Sequence, residues 1–144
     1  MGTQQILLIV LSVIIVGAAI AAGITMFNNQ SYATNKAAIA VDAQNFATQV
    51  VQYYKTPASQ GGADRLRENM TAKKIGDFIG WQGTTTTNEN GTFTIGDVGT
   101  TDTLVTITGI GKEVKNRKNP KIETKVGFPS GYITATASDV AVTP

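Results

Sequence analysis

Ten carboxylates, twelve Lys or Arg side chains and four tyrosines carry the titratable chemistry of this 144-residue chain, which contains no His and no Cys. That absence removes thiol nucleophiles, imidazole bases, disulfide frameworks, c-type haem attachment and zinc sites built on Cys or His. A general acid or base would have to be Asp, Glu, Lys or Tyr. Asp64, Glu68 and Asp77 stand at i, i+4 and i+13, which defines no paired-carboxylate site. Asp97 and Asp102 flank an expected hairpin turn, with too few neighbouring oxygen ligands for Ca²⁺. No phosphate loop or dinucleotide fingerprint occurs. The reading is a protein that is not an enzyme and uses no cofactor or metal.

Binding chemistry is confined to a few places. The net charge of +2 is too weak a bias for a nucleic-acid partner. Six of the twelve basic residues nevertheless fall between Lys112 and Lys125. Lys115, Arg117, Lys118 and Lys121 are the candidates for contact with an anionic surface, around an expected hairpin turn from Lys115 to Pro120. The simpler reading is a solvated loop that keeps a sheet edge soluble. Asn29, Asn69 and Asn90 each open an Asn-x-Ser/Thr triplet and are candidate glycosylation sites, with Asn90 favoured by its turn context. Thr84 to Thr87 form a polar turn region that could carry O-linked sugars. Tyr53, Tyr54, Phe78, Trp81 and Phe128 are read as packing residues before any adhesive or electron-transfer role.

The elements that position these residues begin with an apolar segment. Residues 1–35 carry no charged side chain, and from Ile6 to Phe27 only Ser12 and Thr25 are polar. Those 22 residues would span about 33 Å as a helix, enough to cross a bilayer's hydrocarbon core. A buried core helix is the alternative, but the rest of the chain is too short to wrap one that is apolar all round. A secretory signal would begin with a basic stretch, whereas Met1 to Gln5 has no Lys or Arg. The segment therefore reads as membrane-resident at some stage. Gly17 and Gly23 lie within a run of small residues that would let helices approach closely.

Beyond Phe27 the helix should continue. No Pro or Gly occurs from Ile24 to Thr56, and Ile39, Ala43, Phe46, Val50 and Tyr53 or Tyr54 form one stripe at spacings of three and four. Pro57 should end it. Residues 57–144 then read as a β-rich head with one short helix at about 63–78. Strands are expected at 92–98, 103–110, around 122–126 and at 132–137, in meander order. The fold class is α+β: a long N-terminal helix packed on a four-stranded antiparallel sheet, with 3–27 as the apolar half and 28–56 as the amphipathic continuation.

A charge-free N-terminus, an apolar segment, its amphipathic continuation and a C-terminal sheet resemble the type IV pilin family, which includes type IV pilins, type II secretion pseudopilins and archaeal pilins. The resemblance implies that prepilin peptidase cuts after Gly2, leaving Met1-Gly2 as a very short leader and Thr3 as the mature start. Bacterial members usually carry Glu at the fifth mature position. Here that position is Leu7, or Gln5 counting from Met1, which leans toward archaeal-type or divergent bacterial members.

The apolar side chains themselves argue for assembly, because such a rod would be soluble outside lipid only against copies of itself. The assembly core would comprise Ile6, Leu7, Leu8, Ile9, Val10, Leu11, Val13, Ile14, Ile15, Val16, Gly17, Ile20, Gly23, Ile24 and Phe27. The expected function is a structural subunit of an extracellular filament serving adhesion, motility or a related surface role. Its partners would be other copies of the chain, the cytoplasmic membrane before assembly and, by resemblance, the peptidase and pilus assembly machinery. Alternatives are a minor pseudopilin of a secretion apparatus and a membrane-anchored binding domain that never polymerises.

Overall fold

The computed structural model describes residues 2–99 and 101–142. A single helix, α1 (Thr3–Lys55), runs for 53 residues, about 80 Å. Between Ile6 and Phe27 the two hydroxyls are returned to the helix: Ser12 donates to the Leu8 carbonyl at 2.7 Å and Thr25 to the Ala21 carbonyl at 3.0 Å. The helix passes through Gly17 and Gly23 without a break. It ends at Thr56, whose extended backbone (ψ 134°) is the conformation a following proline demands.

The chain then turns back to cap the helix. The amides of Ala63, Asp64 and Arg65 donate to the carbonyls of Tyr53, Thr56 and Tyr54 at 3.0, 2.9 and 2.8 Å, satisfying groups that the helix end leaves open. This corrects the helix expected at 63–78. Asp64 and Arg65 are held at φ 53° and 59°, outside the right-handed region, because they serve as caps. A short 3-10 turn follows at Arg67–Asn69, and the helix proper, α2, covers only Ala72–Phe78. Thr71 caps it, accepting from the Lys74 amide at 3.3 Å.

Five strands form one antiparallel sheet in sequence order: β1 (Thr85–Thr87), β2 (Gly91–Ile95), β3 (Leu104–Gly111), β4 (Lys118–Gly127) and β5 (Tyr132–Ala141). The expected count of four is corrected by β1, which occupies the threonine run read as a turn. Its β-branched residues suit a strand, and Thr85 and Thr87 pair by hydroxyl with Thr94 and Thr92 at 3.3 and 3.2 Å. The Lys115–Pro120 turn is tighter than expected. Lys115 and Lys118 exchange both backbone bonds across Asn116 and Arg117, whose φ values of 52° and 60° suit a two-residue hairpin turn. Pro120 lies inside β4, opposite Asp139.

The sheet closes on the second half of α1. Ile39, Ala43, Ala47, Val50, Tyr53 and Tyr54 are buried against Phe93, Ile95, Val105, Ile107, Ile122 and Val126. Phe46 is half-buried and meets Trp81 and Phe93 edge-on, at ring-centroid distances of 4.9 and 5.1 Å. Tyr53 meets Phe78 and Tyr54 meets Phe128 with tilted rings, at 5.1 and 4.5 Å between centroids, so the aromatics pack the head. Arg67 ties the cap to the sheet's far end, donating to the carbonyls of Asp102 and Phe128, each at 2.9 Å.

Candidate assembly and membrane interface

The head uses only the C-terminal half of α1. Every residue from Gly2 to Gln30 is exposed, including Leu7 at 70% and Phe27 at 72%. All the residues assigned to an assembly core, from Ile6 to Phe27, therefore stand on a bare helix with apolar side chains on every face. Among the described residues, α1 is the one helix long and apolar enough to cross a membrane. A Cβ added at Gly17 or Gly23 would meet nothing within 4 Å, so both present open backbone to whatever covers the helix. Gly2 has extended backbone (φ −79°, ψ 148°) and Thr3 is the first helical residue. The peptide bond expected to be cut thus lies where extended chain becomes helix, while Met1 falls outside the described residues.

Two polar fastenings hold the head near the end of the apolar half. In the first, Asp42 accepts from the side-chain amides of Asn88 and Asn90 at 2.9 and 2.8 Å, and Asn35 donates to the Asn90 carbonyl at 2.8 Å. In the second, Asp139 on β5 accepts from the Tyr32 hydroxyl at 2.7 Å and from Lys36 at 3.0 Å. These contacts bear on glycosylation. The Asn90 amide nitrogen is committed to Asp42, and that of Asn69 donates to the Ala63 carbonyl at 3.3 Å, so a sugar on either would displace a bond. Asn29 is exposed, on the helix just past the apolar segment.

The second fastening shapes the pH response. Burial, followed by the hydrogen bond to Asp139, pushes the Tyr32 phenol up to about 12. The bond from Tyr32, followed by that from Lys36, holds the Asp139 carboxyl below the usual carboxylate range. Asp139 therefore contributes stability that is present above its unfolded value of about 3.9 and is lost as pH falls through the lowered folded value. Tyr32 contributes stability that is full below about 10 and is lost as pH rises toward its folded value. Absorbance titration at alkaline pH should show a phenol ionising at about 12 that vanishes in Tyr32→Phe. An unchanged upper limb in that variant would refute the assignment.

The basic residues do not form one site. Lys115, Arg117 and Lys118 sit exposed at the β3–β4 hairpin tip. Lys121 is farther along β4, half-buried and bonded to Glu123 at 2.6 Å on the sheet's outer face. The tip also presents Val114 and, beside it, Val142, whose amide donates to the Arg117 carbonyl at 2.9 Å. Neither valine was singled out by sequence, because neither belongs to a periodic pattern. Among the described residues no group of three or more carboxylates is placed to hold a metal ion, and Asp102 caps its own turn by accepting from the Gly99 amide at 2.8 Å.

No family model, curated protein or solved structure matches the chain. The architecture itself is pilin-like: a long N-terminal helix, apolar and exposed in its first half, packed through its second half on a C-terminal antiparallel sheet.

Proposed function

We propose that the chain is the structural subunit of an extracellular type IV pilus-like filament. It resides in the cytoplasmic membrane through α1 and then polymerises by bundling the same segment with that of other copies. The observation that carries this reading is the bare apolar half of α1 joined without a break to a folded head. Apolar surface costs about 25 cal/mol per Å² in water, so this segment needs either lipid or other helices around it. A single repeated contact that does not close generates a helical array, with the heads outside. Cleavage after Gly2 by a prepilin peptidase and delivery by pilus machinery belong to the same proposal, as do adhesion and motility.

Negative-stain microscopy of material sheared from the native cells, with intact mass on the same sample, tests it. Thin filaments made of this chain are the expected result, with a mass beginning at Thr3. Filaments that retain Met1 would reject the cleavage and keep the assembly. Protein found only in detergent extracts of membranes, with no filaments, would overturn assembly and leave a membrane-anchored binding domain.

A further inference from the structure

The hairpin tip lies beside the last turn of the apolar segment. β3 descends along α1, and the Glu113 amide donates to the Asn35 side chain at 3.3 Å. Below it, Val114, Lys115 and Asn116 face Thr25, Asn28 and Asn29 across a shallow cleft. If residues 6–27 fill the hydrocarbon core, the next five residues of helix rise through about 7 Å, which is the depth of one headgroup layer. The tip is therefore at headgroup depth whenever α1 spans a membrane.

Its composition suits that depth. Lys112, Lys115, Arg117 and Lys118 are exposed there beside two carboxylates, Glu113 and Asp139, and Asp139, which shares a shallow cleft with Lys115 and Lys118, already accepts from Tyr32 and Lys36. Val114 and Val142 are 53% and 42% exposed. Among the described residues none of these four cations makes an ion pair. Apolar side chains ringed by cations are the chemistry of a surface that rests on anionic lipid.

We propose that the β3–β4 hairpin tip is a foot that seats on anionic lipid headgroups while the chain is in the membrane. Val114 and Val142 enter the interface, and Lys112, Lys115, Arg117 and Lys118 meet phosphate. The foot fixes how the head stands over the bilayer and must lift before the subunit leaves it. This rests on the membrane residence proposed above.

The chain has no cysteine, so Val114→Cys offers a single site for a fluorescent label, with Ser59→Cys at the opposite end of the head as the comparison. The full-length chain is reconstituted into vesicles of phosphatidylcholine, with or without phosphatidylglycerol. Alkali-resistant flotation is scored first, then quenching of the label by aqueous acrylamide. A near-surface cation is worth on the order of fivefold in binding, so phosphatidylglycerol should cut quenching at position 114 by about threefold or more. Position 59 should not change, and Lys115→Gln with Arg117→Asn should abolish the protection.

Flotation with equal quenching of position 114 in both vesicles would overturn the foot and leave membrane residence standing. So would protection that survives loss of both charges. Protection by duplex DNA in phosphatidylcholine vesicles, without protection by phosphatidylglycerol, would overturn it in favour of a nucleic-acid contact. Failure to float would overturn membrane residence, and the foot with it.

Discussion

Val16→Asp should abolish filaments and deplete the chain from the alkali-resistant membrane fraction. Val16 lies near the middle of the Ile6–Phe27 segment, and its side chain touches no part of the head. A carboxylate at the centre of a membrane helix costs about 2.5–3.5 kcal/mol on insertion scales, on the order of a hundredfold in partition. In a bundle the cost recurs in every copy, because each new subunit buries an unpaired charge among aliphatic neighbours. The head should fold as before, since none of its core comes from this half of α1. Val41→Asp is the matched comparison. Val41 is also exposed, at 58%, but lies in the amphipathic half, and the same charge there should leave membrane insertion intact. Filaments at the normal yield from Val16→Asp would refute a helical core built on this segment.

Phe93→Ala should cost the head about 3–5 kcal/mol. Phe93 is fully buried on β2, edge-on to Phe46 of α1. Its cross-strand partner on β3 is Gly109, and a Cβ added there would lie 2.7 Å from the Phe93 ring. The ring thus occupies the space that the glycine leaves, and Gly109 has no side chain to refill it once the ring is gone. Trp81 is the chain's single tryptophan and also meets Phe46 edge-on. Its fluorescence therefore reports this cluster directly during denaturation in detergent micelles. A midpoint close to that of the unaltered chain would mean that the helix–sheet contact is held elsewhere.

The parts of the fold legible in the sequence are those with strong periodicity. The apolar run and the Ile39–Tyr54 stripe predict one helix, and Pro57 predicts its end. The alternation of Ile122, Thr124 and Val126 with Lys121, Glu123 and Lys125 predicts β4 and its two faces. Contacts between distant residues were not legible. Asp64 and Arg65 have ordinary helix-compatible neighbours, and only the open carbonyls at the end of α1, whose last residue is Lys55, make them caps. The threonine run has no apolar face, so its pairing as β1 depends on β2 already being in place. Tyr32 and Asp139 stand 107 residues apart, and no local signal joins them. The site followed the same division. The apolar helix is visible from composition alone. The separation of Lys121 from Lys115, Arg117 and Lys118 depends on where the hairpin turns, and that is set by two residues in left-handed conformation.

The unbroken course of α1 makes it a keyed shaft. Nothing between Ile24 and Lys55 acts as a swivel, so each face of the apolar half has a fixed angular relation to one side of the sheet. A copy that rotates to fit its neighbours in a bundle must carry its head through the same angle. One inserted residue just after Phe27 would turn the head by about 100° relative to the core, and seven would nearly restore its bearing while raising it about 10 Å. The surface that such an assembly shows to the outside is therefore set by residue count in the shaft as much as by the head's own side chains.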